Sequence, residues 1–341
     1  MNRRQFLTAS SLAGLTTLGG CSGTHYDAEL LNVSYDPTRE LYRNLNRLFT
    51  DHFFALSGKR VRVRQSHGGS GSQARSVIDG IPADVVTLAM WTDVDNIRSR
   101  SLIASDWEKG PGGRGSLPYH STIVFVVRQG NPFGIQDWED LLKPGVKIIT
   151  ANPKTGGGAK LNMLGAWGAV RMAGGTANDA REFITEMYRR VPVLDTGARG
   201  ATVTFARKNI GDVHLTWENE AWLEKRELKD AVEIVYPKRW SIRAEPHVAL
   251  VEANVDKKGT RAAAEAYLKF LYTETAQEVI AETYFRPSHE KVAKDNEKRF
   301  RLLELFRATD PKLELGDDWN EIQNRFFSEG GIFDEIYQSS R

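Results

Sequence analysis

Short apolar strands alternate with amphipathic helical patterns along most of this chain, and this alternation restricts the fold to the α/β class. Residues 30–35 and 122–127 have the pattern of buried strands, and apolar side chains from Leu41 to Leu56 recur at helical spacing. Further strands are predicted near residues 61–64, 84–89, 146–150, 213–216 and 232–236, and further helices near 71–78, 161–167 and 260–282. Because helices that connect neighbouring strands give parallel pairing, we expect a mostly parallel sheet in each domain.

The length of the chain and its Gly/Pro-rich stretches predict two lobes. A chain of 341 residues exceeds the size of a single small core. Boundaries are expected at residues 110–118 and 237–246, so residues 119–244 form lobe 2, inserted into a lobe 1 of residues 26–118 and 245–341. The double crossover predicts a hinge and a cleft between the lobes, where ligand sites are common.

Four predicted strands end in small or turn-forming residues directly before a helix. These junctions lie at residues 35–37, 66–71, 155–159 and 195–200. A helix N-terminus presents unpaired backbone N–H groups and about half a positive charge. Glycine lets these groups approach an anion closely because it has no β-carbon. One such junction is an ordinary turn, but four that face one cleft predict an oxyanion site without basic side chains.

Residues 1–20 have the features of an export signal. Arg3 and Arg4 precede a short apolar stretch at residues 6–18, as in a twin-arginine (Tat) signal. That stretch is shorter than the ~20 apolar residues of a membrane span. Small residues lead to Cys21, as in a bacterial lipobox. We therefore expect a periplasmic protein that a lipid on Cys21 anchors to the membrane.

Once the signal is removed, the charge balance no longer favours a polyanion as partner. The chain has 46 basic and 44 acidic residues, and the signal contains two arginines and no acid, which leaves 44 of each. We therefore expect no nucleic-acid partner. Cys21 is the only cysteine, and no two of the seven histidines stand four residues apart, so no metal site or cofactor is predicted.

Three catalytic or nucleotide-binding motifs occur only in fragments. Lys160 follows a glycine run but precedes Leu161, where a P-loop has Ser or Thr. The run at residues 68–72 ends in serine instead of the glycine of a nucleophile elbow. His67 and Ser70 leave hydrolase chemistry open as an alternative, although no acid is placed by the sequence to complete a triad.

From about residue 29 to the C-terminus, the sequence resembles bacterial sulfate-binding proteins, the periplasmic receptors of sulfate/thiosulfate ABC importers. The matching strings stand in the family's order at residues 30–42, 65–71, 121–125, 152–154, 194–200, 217–221 and 264–269. The resemblance implies the type II periplasmic binding fold, in which two α/β lobes close over the ligand, and it implies a binding protein rather than an enzyme. The implied partners are sulfate or thiosulfate and the permease subunits of an importer. We expect a monomer.

The resemblance also implies which groups hold the anion. Backbone N–H groups and one indole N–H, of Trp217, are implied as donors to a dehydrated sulfate. The backbone donors are Asp36, Ser70, Gly157, Gly158 and Ala198. Indole only donates, so it suits a dianion that only accepts.

One position departs from the family's pattern. The family has serine, another donor, where this chain has Gly156, with Thr155 before it. We list Gly156 as a backbone position of the site, and Thr155, another donor or a water is expected to compensate for the missing hydroxyl. The alternatives are a preference for thiosulfate, molybdate or tungstate, an exported sulfate or phosphate ester hydrolase, and a sensor without an importer.

Overall fold

The computed structural model describes residues 25–113 and 115–339. The predicted export signal (residues 1–20) and Cys21 lie outside the described residues. None of the helices within these two ranges is long and apolar enough to cross a membrane.

Strands and helices alternate through the described residues. The strands are β1 (Ala28–Tyr35), β2 (Val61–Gly68), β3 (Val85–Leu88), β4 (Tyr119–Arg128), β5 (Ile148–Ala151), β6 (Leu194–Asp195), β7 (Val213–Trp217), β8 (Val232–Val235), β9 (Trp240–Ala244), β10 (His247–Leu250), β11 (Arg286–Pro287) and β12 (Glu304–Phe306). The α-helices are α1 (Arg39–Ser57), α2 (Ser70–Ile78), α3 (Trp91–Arg98), α4 (Gly157–Met172), α5 (Ala177–Arg189), α6 (Ala198–Thr202), α7 (Glu218–Leu228), α8 (Glu252–Lys258), α9 (Arg261–Phe270), α10 (Glu274–Glu282), α11 (Glu290–Asp295), α12 (Trp319–Ile322) and α13 (Ile332–Ser339).

The strands form two sheets. In the first sheet, of order β10-β3-β1-β2, β1 lies parallel to both β2 and β3, and β10 is antiparallel to β3. In the second sheet, β5 is parallel to β6 and β7, but β4 is antiparallel to β7, β8, β9 and β11. A mostly parallel sheet is thus confirmed for the first lobe and wrong for the second. The reason is that the chain enters the second lobe through β4, which runs antiparallel to all four strands that pair with it.

The central strands β3, β4, β5 and β7 are buried on both faces, as βα-type layering requires. Along β4, Ile123, Phe125 and Val127 belong to the largest apolar cluster of the molecule, which extends through both lobes. Val124 and Val126, on the opposite face, belong to a separate cluster under α6 and α7. The alternation follows the two-residue period of a strand and explains why this segment is continuously apolar in sequence.

The last part of the chain packs against the second sheet. β12 pairs with β9, and the Trp167 indole N–H donates to the Leu313 carbonyl at 2.9 Å. Tyr188 of α5 and Phe333 of α13 are in edge-to-face contact, with 5.4 Å between ring centroids. The predicted lobe boundaries stay a prediction, and these contacts favour moving residues 304–339 from lobe 1 into lobe 2.

The single helix predicted over residues 260–282 is wrong, because the chain forms α9 and α10 with a break between them. Thr273 caps the second helix, and its hydroxyl oxygen accepts from the Ala276 N–H at 3.3 Å. Because both segments are rich in alanine, their sequence is interpreted as one continuous helix. A Thr followed directly by an acidic residue, Glu274, is the local signal that marks the cap.

Candidate anion-binding site

All seven predicted binding positions line one small cavity between the two sheets. Its lining residues are Tyr35, Asp36, Pro37, Gly68, Gly69, Ser70, Ala89, Gly156, Gly157, Gly158, Ala198 and Trp217. The centre of a water-sized sphere can move through about 20 Å³ of this cavity. This is far below the 300 Å³ or more that is typical of drug-sized ligand sites, so a compact polyatomic group is the candidate ligand.

Four helical segments begin at the cavity wall. A short helical turn (Asp36–Thr38) leads into α1, and α2, α4 and α6 begin at Ser70, Gly157 and Ala198. The first amides of a helix have no acceptor within that helix. The four predicted junctions therefore bring their free donors to one place.

The residues that cap these helices have no side chain to satisfy the donors. Gly69, Gly156 and Gly197 are the N-caps of α2, α4 and α6, and none makes a side-chain capping bond. Most helices have Ser, Thr, Asp or Asn at this position, whose oxygen takes one of the free amides. With glycine there, the amides stay available to a ligand that only accepts hydrogen bonds.

Trp217 supplies a side-chain donor at the end of β7. Its side chain is 1% exposed, and its indole Nε1 has no hydrogen-bond partner among the described residues. A buried donor without an acceptor is costly, so this N–H is the clearest sign of an absent acceptor. The ring lies beside Tyr35, with centroids 5.3 Å apart. A β-carbon on Gly158 would overlap the indole nitrogen, so only glycine allows this packing.

Gly156 lines the cavity, but its own amide is already used. The Gly156 N–H donates to the Asn152 carbonyl at 2.9 Å, which closes the loop before α4. The Thr155 hydroxyl is also occupied, because it donates to the Thr196 carbonyl at 2.6 Å. The expectation that Thr155 compensates for the missing serine is therefore not supported by this geometry.

The lining contains no basic side chain. Asp36 is its only charged residue, and the carboxylate pairs with Arg39 at 2.7 Å. Any negative charge in the cavity is therefore met by backbone and indole dipoles rather than by a lysine or arginine in contact with it. Among the described residues, no group of three or more His, Cys, Asp or Glu side chains is placed to hold a metal ion.

His67 and Ser70 do not form a nucleophile–base pair. The His67 ring nitrogens lie 2.6 Å from Gln65 Oε1 and 3.3 Å from the Tyr35 carbonyl oxygen. The Ser70 hydroxyl oxygen accepts from the Ala89 N–H at 3.0 Å. Burial lowers the pKa of His67, but the geometry gives it a structural role at the end of β2.

Ala89 is the lining residue that neither the four predicted junctions nor the resemblance included. Ala89 follows β3 and comes just before α3, so it lies at a fifth strand end with the same design as the other four. No glycine cluster marks this strand end in the sequence. The strand-to-helix transition itself was the available signal.

The two lobes approach closely around the cavity. A β-carbon on Gly69 would lie 2.5 Å from the Thr155 carbonyl oxygen, and one on Gly157 would lie 2.9 Å from the Ala89 β-carbon. The Asn219 amide of α7 donates to the Pro37 carbonyl at 3.0 Å across the cleft. The structure therefore represents a closed cleft, and glycine at these positions permits the closure.

Comparison with known proteins gives one consistent family. A family model described as bacterial extracellular solute-binding protein matches residues 31–286. A sulfate-binding protein of Escherichia coli (strain K12) is 51% identical over 326 residues, covering 95% of this chain and 97% of the relative. A thiosulfate-binding protein of Pseudomonas aeruginosa is 43% identical over 336 residues, covering 98% and 99%.

A solved structure agrees with these relatives. The sulfate-binding protein SubI from Mycobacterium tuberculosis H37Rv superposes with a TM-score of 0.78 at 29% identity, covering 88% of this chain and 100% of that chain. With the two sheets and the cleft between them, this confirms the predicted type II periplasmic binding fold of two α/β lobes. The predicted resemblance is likewise confirmed: the chain belongs to the family of bacterial extracellular solute-binding proteins.

Proposed function

We propose that this protein captures sulfate in the cavity between its lobes and delivers it to an ABC importer. The observation that carries the proposal is the unpartnered indole N–H of Trp217 among helix N-termini that have glycine caps. The relatives named for sulfate and thiosulfate binding support the same ligand class. In this proposal the backbone donors are those of Asp36, Ser70, Gly157, Gly158 and Ala198. Gly156 lines the cavity but does not donate its amide to the ligand.

A cavity with donors only explains how sulfate is told apart from phosphate. Near neutral pH, sulfate carries no proton and only accepts hydrogen bonds, whereas phosphate carries at least one proton that needs an acceptor. An unpaired buried polar group costs ~1–3 kcal/mol, so the proton of phosphate counts against it in this cavity. Thiosulfate, molybdate and tungstate also lack a proton and stay as alternative ligands.

The proposal is tested by the thermal stability of the protein in a panel of anions. We expect sulfate to raise the melting temperature strongly and phosphate to raise it little, because a ligand stabilises in proportion to the logarithm of its concentration over its dissociation constant. Thiosulfate, molybdate and tungstate in the same panel rank the alternatives. Equal shifts with sulfate and phosphate would contradict the donor-only account.

We propose a receptor rather than an ester hydrolase. The support is that the relatives are binding proteins and that His67 and Ser70 are engaged with separate partners. An assay of sulfate and phosphate ester hydrolysis, run beside the anion panel, separates the two functions. Turnover of an ester that disappears in Ser70→Ala would favour the hydrolase.

We further propose that the receptor is a monomer anchored to the membrane by lipid on Cys21, with export by the Tat route. The support is the order of the twin arginines, the short apolar stretch and the small residues before Cys21. Mass spectrometry of the membrane fraction is expected to find a diacylglycerol on Cys21. Cys21→Ser is expected to move the protein to the soluble extracytoplasmic fraction, and recovery of that variant in the membrane fraction would contradict the anchor.

A further inference from the structure

Three consecutive residues at the start of α7 point to three different parts of the molecule. Trp217 directs its indole N–H into the cavity, and Asn219 donates to Pro37 on the opposite lobe. Glu218, between them, contacts neither the cavity nor the opposite lobe's first junction. Its carboxylate is fully buried and lies against the guanidinium of Arg286.

The Glu218–Arg286 contact is bidentate. Arg286 Nε donates to Glu218 Oε2 at 2.7 Å, and Arg286 Nη2 donates to Glu218 Oε1 at 2.9 Å. The two side chains are 0% and 12% exposed. Two parallel bonds from a planar guanidinium fix the orientation of the carboxylate as well as its position.

Arg286 is itself held at the crossover between the lobes. It lies in β11 opposite His120, at the beginning of β4, where the chain enters the second sheet. Its guanidinium also donates to the Arg301 carbonyl at 2.9 Å and lies 5.3 Å from the centre of the Phe300 ring. Burial, together with Arg243 and Arg286 nearby, lowers the pKa of His120 to about 3, so that ring is neutral. Glu218 is the acid that forms an ion pair with Arg286.

A second contact holds α7 against the segment that contains Arg286. Trp222, one turn after Glu218, stacks on Tyr284 with 4.6 Å between ring centroids and an interplanar angle of 10°. The Trp222 indole N–H donates to the Tyr236 hydroxyl at 3.1 Å. The first turn of α7 is therefore fixed from the crossover side, and the backbone of Trp217 is fixed with it.

We propose that Glu218 and Arg286 are a positioning pair that holds the Trp217 indole N–H at one place in the cavity wall and thereby restricts the site to small oxyanions. The inference rests on the proposed function. Neither residue lines the cavity. The pair acts through Trp217, whose ring is packed between Gly158 and Tyr35 and whose backbone is continuous with that of Glu218.

Molybdate is the appropriate probe for this restriction. It has the same tetrahedral shape, charge and acceptor-only character as sulfate near neutral pH, but its bonds to oxygen are longer. A fixed indole favours the smaller ion. An indole that can move outward weakens the hydrogen bond to sulfate and makes room for molybdate. The ratio of sulfate affinity to molybdate affinity therefore falls.

The test compares sulfate and molybdate binding by calorimetry in the full-length mature protein and in Glu218→Gln and Arg286→Lys. We expect sulfate affinity to fall about tenfold in each variant, the equivalent of one hydrogen bond to a charged group. We expect molybdate affinity to fall less or to rise. Arg286→Lys keeps the positive charge but cannot form the two parallel hydrogen bonds of the guanidinium. It therefore provides a folded variant if Glu218→Gln is too unstable to purify.

Arg239→Lys is the matched control, because Arg239 also bridges two acids, Asp137 and Glu139, in the second lobe, and does not line the cavity. It is expected to leave the sulfate-to-molybdate ratio at the wild-type value. The same ratio in Glu218→Gln, Arg286→Lys and wild type would overturn the inference, even if their melting temperatures fall. Failure of the wild-type protein to bind sulfate would instead overturn the proposed function.

Discussion

At the scale of single residues, this site depends on glycines, because they have no β-carbon. Gly158 allows the Trp217 indole to pack against the start of α4, and Gly69 and Gly157 allow the lobes to meet. Gly156 differs from these three, because a β-carbon there would meet nothing closer than 3.5 Å, and its φ of −116° suits any residue. Three of the four glycines are therefore required by contact, and the fourth is open to change.

The open position gives the first prediction. Gly156→Ser is expected to tighten sulfate binding by roughly ten- to a hundredfold, because its hydroxyl adds a donor and a hydrogen bond to a charged group contributes ~1.5–3 kcal/mol. Titration calorimetry measures the change. Gly156→Ala, which fits equally well and adds no donor, is the control and is expected to bind like wild type. Sulfate affinity in the serine variant no higher than in the alanine variant would contradict the prediction.

At the scale of elements, helix starts determine the site, and the first turn of α7 carries a half-buried acid. The acid is Glu220. Its partial removal from solvent, together with repulsion from Glu224 and Asp36, raises its pKa to about 8. The ordinary pKa of glutamate is 4.5, so between about pH 4.5 and about pH 8 Glu220 holds a proton in the folded protein that it has lost in the unfolded chain. By linkage, the free energy of unfolding decreases as the pH rises through this interval.

The second prediction concerns this pH dependence. Glu220→Gln cannot lose a proton, so the fall in stability between about pH 4.5 and about pH 8 is expected to be shallower than in wild type. Urea unfolding at several pH values across the interval measures the slope. Glu227→Gln, an exposed position of the same helix that pairs with Arg207, is the control and is expected to keep the wild-type slope. Parallel curves for Glu220→Gln and wild type would show that Glu220 does not titrate in this range.

At the scale of the whole molecule, the site exists only when the lobes meet. Gly69 belongs to the first lobe and Thr155 to the second, and their backbones approach so closely that a β-carbon on Gly69 would overlap the Thr155 carbonyl oxygen. The backbone of Gly69 is extended, with a φ of −60° and a ψ of 135°, so a larger residue is tolerated in the separated lobe. A side chain at this position acts on closure and not on the fold of either lobe.

The third prediction uses this position. Gly69→Val is expected to lower the melting temperature of the ligand-free protein only slightly, since valine is a poorer N-cap of α2 than glycine. It is expected to weaken sulfate binding roughly tenfold or more, because overpacking a close contact costs about 1–3 kcal/mol. Small-angle scattering is expected to show that sulfate makes wild type more compact and leaves the variant unchanged. Gly71→Ala, with its nearest contact at 3.6 Å, is the control. Equal compaction of Gly69→Val and wild type would refute a steric role for Gly69.

The sequence by itself determined the local features of this protein. It placed the strand ends, the helix starts and the glycines between them, because hydrophobic period and turn chemistry are properties of neighbouring residues. The family resemblance added Trp217, which no spacing rule selects. The resemblance also named Asp36, Ser70 and Ala198 within the junctions, and the structure places them on one cavity.

Only the tertiary structure decided how distant groups use their hydrogen bonds. It bound the Asn219 amide to the Pro37 carbonyl across the cleft and laid residues 304–339 on the second sheet. It also joined Glu218 to Arg286, which are 68 residues apart in sequence. The physical reason is that a donor's partner and a charge's neighbour are set by how the lobes pack, and no local pattern records that packing.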